Sequence, residues 1–231
     1  MKIDLFPTQI WSDEFNYIDN EKLTKFVLKK EQEEVATGTE YWRDLEENDL
    51  EYRVTSIGGW QSRPDLFFSN QENTELQNLL KAIGKITDEI KIHNRYRKNV
   101  KTECIAMWAN VNRYKDYFST HVHPHCDYSG VYYVNTPENC GTINFIDPRK
   151  ERRMLVNTDL WDSSNDLTGS TADCFIVTPK EGKLMVFPSF LDHLAEPNQT
   201  QEPRISISFN IVFKVSGQRP VGFANYRSDR E

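Results

Sequence analysis

Residues 204–213 read RISISFNIVF, in which Ile205, Ile207, Phe209 and Ile211 alternate with Ser206, Ser208 and Asn210. Period-two alternation is the mark of a β-strand with one face in a core, and it predicts a solvated face for the polar set. The same texture runs back along the chain. TECIAMWANVNRY, YFSTHVH, SGVYYVN, GTINFID, CFIVTP and KLMVFPS are short apolar, aromatic and β-branched runs separated by turn residues, all within residues 101–215. Strands this short, at this spacing, predict a β-sandwich of jelly-roll type.

The first hundred residues read differently. Leu23, Phe26 and Val27 recur at helical spacing in NEKLTKFVLKKEQEEV after the N-capping candidates Asp19 and Asn20. A stronger helix is predicted in TELQNLLKAIGKITDEIKIHN, where Leu76, Leu79, Leu80, Ile83, Ile86 and Ile90 form one face and Thr74 with Gln77 forms a capping box. The stretch between them has no sustained period and carries Gly-Gly and Arg-Pro breaks, so it reads as loop with short extended pieces. The expected class is mainly β with N-terminal helices. Its parts are an N-terminal segment 1–100 packed on the core, a β core 101–215, and a C-terminal tail 216–231. Residues 150–173 interrupt the core with a segment long enough to read as a lid.

At 231 residues the chain can bury a sizeable core as one domain. Its net charge of −7, with Lys and Arg scattered, argues against an extended nucleic-acid surface. The N-terminal MKIDLFPTQIW lacks the basic and apolar regions of a secretory signal, and no apolar run is long enough to span a membrane. A cytoplasmic protein is the expectation. Cys104, Cys126, Cys140 and Cys174 form no CxxC pair and read as free thiols.

Three of the five histidines, His121, His123 and His125, fall in FSTHVHPHC, just before the SGVYYVN strand. His121 and His123 are at i and i+2, on one side of an extended chain, where both reach a single ion. A third ligand comes from elsewhere, and His193 in EGKLMVFPSFLDHLAEPN is the candidate. Three protein ligands that leave one side of the ion open suit non-haem Fe(II). The bland alternative for each, a histidine in a core or on a surface, loses weight because so few histidines cluster in two strand-end motifs.

AMWANVNRYKDYFSTHVHP, SGVYYVN, DPR, EGKLMVFPS, LDHLAEPN and EPRISISFNI together resemble the Fe(II)- and 2-oxoglutarate-dependent oxygenases, in particular a group found in marine bacteria and their phages. The resemblance covers roughly residues 100–214, and LFPTQIW and GGWQS also look like that group. It implies a double-stranded β-helix, cupin-like, and a hydroxylase that uses Fe(II), 2-oxoglutarate and O2, with ascorbate as an aid in vitro. Superfamily members carry His-x-Asp or His-x-Glu, then a distal His, then a basic residue for the far carboxylate of 2-oxoglutarate. The match to prolyl-hydroxylase-like members runs without a gap from Ala106 to His121, which puts His121 on the first histidine and His123 where the acid usually stands. The aspartyl-hydroxylase-like branch does without that acid. The implied metal set is His121, His123 and His193, with Asp127 as the rival third ligand in a His125-x-Asp127 register.

For the cosubstrate, Arg204 lies eleven residues past His193, Ser206 follows on the same face, and Tyr133 matches a carboxylate-binding tyrosine. Asn144 is a further lining candidate. An exposed strand arginine and a core tyrosine are the competing readings. Trp60, Trp108 and Trp161 read as core or lid packing, and Asp147 with Arg149 as a turn held by an ion pair. The substrate, a protein side chain or a small metabolite, is left open, and a homodimer is compatible with the sequence. Two other classes stay in view. One is a non-oxidative cupin-like metal-binding protein or isomerase, which has no need of a buried carboxylate clamp. The other is a non-catalytic jelly-roll interaction protein.

Overall fold

A computed structural model describes residues 6–41, 55–149 and 174–215; the lid-like segment and the C-terminal tail lie outside them. Among these residues, helix α1 spans Asn20–Thr37 and helix α2 spans Thr74–His93. Asp19 caps α1 by accepting from the Lys22 N–H at 3.1 Å, and Gly38 ends it at φ 66°, a left-handed conformation that glycine adopts without strain. The cap of α2 is Asn73, whose Oδ1 accepts from the N–H groups of Glu75 and Leu76, while Gln77 turns away to the Gln71 carbonyl. The expected Thr74/Gln77 box therefore does not form, and the cap sits one residue earlier, where a short asparagine carbonyl reaches two free N–H groups at once.

The strands are β1 (Trp11–Glu14), β2 (Ser56–Ile57), β3 (Trp60–Gln61), β4 (Val100–Asn112), β5 (Tyr117–His121), β6 (Tyr128–Asn135), β7 (Ile143–Ile146), β8 (Cys174–Val177), β9 (Lys183–Pro188), β10 (His193–Ala195) and β11 (Arg204–Val215). They form two sheets, six-stranded β1-β9-β6-β11-β4-β3 and five-stranded β2-β5-β10-β7-β8, and every ladder between them is antiparallel. This is the jelly-roll the strand texture predicts. The N-terminal region does more than pack on it, since β1 and β3 border the larger sheet and β2 borders the smaller one. Strands of two to four residues are too short to show a period in the sequence.

The alternation in β11 resolves in an unexpected direction. Ile205, Ile207, Phe209 and Ile211 are fully buried in a core shared with Leu76, Leu79, Ile83, Ile86 and Ile90 of α2 and Leu23 and Val27 of α1. The helices thus cover the outer face of the larger sheet. Ser206 and Ser208 consequently point not to bulk water but into the space between the sheets, where Val131, Tyr133, Ile143, Phe145, Met185, Phe187 and Leu191 form a second core. A polar face inside a jelly roll marks the wall of a site.

Gly130 in SGVYYVN sits where that sheet is tightest. A Cβ there would meet the Phe209 ring and lie 2.6 Å from the Met185 carbonyl oxygen. Gly130→Ala is expected to destabilise the fold by about 1–3 kcal/mol. Chemical denaturation checks this, and an unchanged midpoint would contradict the close packing of β6 on β11.

Candidate active site

His121 ends β5, His193 opens β10, and the two are directly paired across the smaller sheet. His123 lies two residues beyond β5 and is tied to the end of β9 by its N–H, which donates to the Ser189 carbonyl at 3.0 Å. The ring atoms that face one another belong to all three. His123 Nε2 and His193 Nε2 are 3.3 Å apart, and one nitrogen from each of the three imidazoles lies within 4.8 Å of the others. Nitrogen ligands about 2.0–2.1 Å from an ion and at right angles to one another stand about 3 Å apart, so small ring rotations suffice to seat a metal.

The backbone sets two of the tautomers. His121 Nδ1 lies 2.7 Å from the Ser119 carbonyl and His193 Nδ1 lies 2.8 Å from the Leu191 carbonyl. A carbonyl only accepts, so each Nδ1 carries the proton and each Nε2 presents a lone pair. Burial pushes His193 down to about 3, helped by repulsion from His121. Burial likewise pushes His123 down to about 3, with repulsion from His193 and His121 adding to it. His121 is also lowered by burial, against partial compensation from the Ser119 carbonyl and Asp192. All three are neutral near pH 7, the form that binds a cation.

The metal-free protein therefore loses stability as the pH falls from about 6.5 toward about 3, because the unfolded histidines take up protons and the folded ones resist. A bound divalent ion should raise stability across this range without flattening the loss, because it too keeps the folded rings unprotonated. Thermal melts across this range, with and without Zn(II), measure it; identical curves would contradict an ion held by these rings.

Apolar side chains surround the cluster. Phe187 packs edge-on to His193 with centroids 4.7 Å apart, and Trp108, half-buried on the inner face of β4, lies tilted over His123 at 5.7 Å. Trp108 reads in the sequence as packing only; its place against a candidate ligand was not legible from composition. One register row crosses the smaller sheet as His121, His193, Phe145 and Phe175. Asp127 stays outside the cluster: its carboxylate accepts from the Phe213 N–H at 2.7 Å, and its own N–H and carbonyl pair with Ile211 and Ser189. Cys126 donates its thiol to the His123 carbonyl at 3.4 Å, and burial raises its pKa.

Arg204 opens β11 and is only 2 % exposed. Its Nη1 donates to the carbonyls of Cys140 (2.8 Å) and Glu196 (3.1 Å), while its Nη2 is buried with no partner among the described residues. Burial lowers its pKa, and Tyr133 and Cys140 are foremost among the groups that offset this. An unpaired donor on a buried guanidinium is costly, and a carboxylate is the group that removes the cost. Directly across the ladder, Asn112 is fully buried, and both its side-chain polar atoms lack a partner among the described residues. Ser206 and Tyr133 are paired with each other on the same inner face, and burial raises the Tyr133 pKa. The donors of this corner fit the far carboxylate of a dicarboxylate such as 2-oxoglutarate.

Asn144 does not join them. Ile143 and Phe145 point inward, so Asn144 points outward, where its amide donates to Glu196 Oε1 at 3.2 Å and accepts from Thr142. Asp147 and Arg149 form a two-pronged ion pair at a turn, as their sequence suggests. Trp60 is core, with its indole N–H donating to Glu34.

Residues 106–210, from the middle of β4 to the middle of β11, match the family model described as "Putative 2OG-Fe(II) oxygenase". No curated protein matches the chain. Among solved structures, a viral collagen prolyl hydroxylase from Paramecium bursaria Chlorella virus-1, in a 2OG complex, superposes with a TM-score of 0.52 at 12 % identity, covering 87 % of this chain and 94 % of its own. A Pseudomonas putida prolyl-4-hydroxylase gives 0.51 at 12 % identity, covering 88 % and 92 %. A 2OG-Fe(II) oxygenase family oxidoreductase from Burkholderia pseudomallei overlaps only in part, at a TM-score of 0.35 and 10 % identity, and the match spans 48 % of this chain and 44 % of that protein. The matched segment carries both the histidine cluster and the buried arginine, and the two larger superpositions share the fold of the chain: over residues 106–210 the chain is similar to the 2OG-Fe(II) oxygenases that this model describes.

Proposed function

We propose that the protein hydroxylates an unactivated C–H bond of a protein side chain or a small metabolite, with His121, His123 and His193 as metal ligands and Arg204, Ser206 and Tyr133 as the cosubstrate clamp. The observation that carries this reading is the buried Arg204 with an unpartnered Nη2 in the same jelly-roll interior as the three imidazoles. A protein that merely stored a divalent ion would gain nothing from an unpaired guanidinium donor there.

Fe(II), 2-oxoglutarate and O2 supply the oxidising chemistry, with succinate and CO2 as co-products. The chain's own part is positioning and exclusion of water. His121 and His193 are fixed by the Ser119 and Leu191 carbonyls, so their Nε2 lone pairs are aimed before any ion arrives. All three ligands are neutral, in contrast to the usual two-histidine, one-carboxylate set. The negative charge at the site then has to come from the dianionic cosubstrate, which couples its binding to the metal's. Phe145, Phe187 and Leu191 keep the surroundings of His193 dry. Phe175 continues the histidine row and is 46 % exposed, which suits an apolar contact with substrate. A cytoplasmic setting suits Fe(II) and the four free cysteines, and no helix among the described residues is long and apolar enough to cross a membrane.

The test is O2 uptake and succinate release by the purified protein with Fe(II), ascorbate and 2-oxoglutarate, without added substrate. Slow uncoupled turnover is the expected result. Metal binding with neither O2 nor 2-oxoglutarate consumed would favour the cupin-like alternative, to which an all-histidine set is equally congenial.

A further inference from the structure

A polar chain crosses the inner face of the larger sheet beside the clamp. Gln61 on β3 donates through Nε2 to Asn110 Oδ1 at 2.9 Å. Asn110 on β4 donates through Nδ2 to Ser208 Oγ at 3.0 Å and to Ser206 Oγ at 3.3 Å. Asn110 is 1 % exposed and Ser206 5 %, so water does not compete freely for either. Each link constrains the next. An amide has one accepting end and one donating end; with its oxygen held by Gln61, Asn110 must turn its NH2 toward the serines. A hydroxyl oxygen that accepts there keeps its own proton for another partner. Among the described residues neither serine hydroxyl donates to any group. Ser206 is two positions from Arg204 on the same face, in register with Asn110 on one side and Tyr133 on the other.

We propose that Asn110, oriented by Gln61, is a positioning residue that makes the Ser206 hydroxyl a donor toward the carboxylate taken by Arg204. The opposite amide orientation would draw the Ser206 proton to Asn110 Oδ1 and present oxygen lone pairs to an anion. Gln61 therefore acts on cosubstrate affinity through two intervening side chains and touches no ligand itself. The proposal rests on the 2-oxoglutarate reading above.

Gln61→Glu tests it. A carboxylate at that position only accepts, so Asn110 has to reverse, and the Ser206 proton goes with it. Titration of 2-oxoglutarate into the Fe(II)-loaded protein without O2, followed by its visible absorption, and calorimetry on the Zn(II)-loaded protein both read binding without turnover. The expected result is affinity weakened by about tenfold, the loss of one hydrogen bond to a charged group, with Fe(II) affinity unchanged. In a Ser206→Ala background the same substitution should change affinity by less than about twofold, because no hydroxyl remains to redirect. Gln61→Met removes the donor without adding charge and should show a smaller loss with the same dependence on Ser206. Equal losses in both backgrounds would assign the effect to charge repulsion or distortion and overturn the relay, as would wild-type affinity in both Gln61 variants. A wild type that fails to bind 2-oxoglutarate at all would overturn the cosubstrate reading, and the relay with it.

Discussion

His193→Ala abolishes uncoupled succinate formation and weakens Fe(II) binding by more than about 100-fold. Loss of a group that merely orients a ligand already costs about 10–100-fold in metal affinity, and His193 is proposed as a ligand itself. It is the most deeply buried of the three, at 5 % exposure, and it closes a triangle of rings, with its centroid 4.3 Å from His121 and 5.2 Å from His123, which are themselves 5.1 Å apart. The variant leaves two imidazoles facing a small cavity lined by Phe145 and Phe187. A far-ultraviolet spectrum and melting curve near those of the wild type would show that the fold survives. Retention of Fe(II) binding and turnover in a folded His193→Ala protein would remove this residue from the metal site.

The second large effect is on the cosubstrate alone. Arg204→Ala should raise the 2-oxoglutarate dissociation constant by about 100-fold or more, since truncating one member of a buried charge pair costs about 2–5 kcal/mol. Fe(II) affinity should stay close to wild type, and so should kcat at saturating 2-oxoglutarate where saturation is reached. Arg204→Lys should recover only part of the loss, because a point charge replaces a planar fork that already serves the Cys140 and Glu196 carbonyls. Unaltered affinity in Arg204→Ala would mean that the unpartnered Nη2 serves some other anion.

Much of this architecture is legible in the chain. The short strands from residue 101 onward, the α2 apolar face and the free cysteines follow from period and composition, His121, His123 and His193 stand out by type and spacing, and Arg204 and Ser206 come from the family resemblance. What escapes is information that only the third dimension holds. RISISFNIVF has the alternation of a half-solvated strand, yet helices cover its apolar face and its serines face the interior. Gln61 and Asn110 lie 49 residues apart, the former on a two-residue strand with no period, so their pairing leaves no local trace. Asn144 is an error of a different kind. Its flanking Ile143 and Phe145 carry the inward parity, and period-two reading of INFI already points the asparagine outward. Geometry also bears on the open choice between His123 and Asp127, because Asp127 accepts from the Phe213 N–H while His123 faces the other two imidazoles.

The central claim is that one interior holds Fe(II) on three histidines and 2-oxoglutarate on Arg204 together. Its most direct test is anaerobic titration of the Fe(II)-loaded protein with 2-oxoglutarate under visible absorption. A charge-transfer band that saturates at one equivalent, and that is absent in His193→Ala and shifted to far higher concentration in Arg204→Ala, is the predicted result. Fe(II) binding with no band at any 2-oxoglutarate concentration would contradict the account.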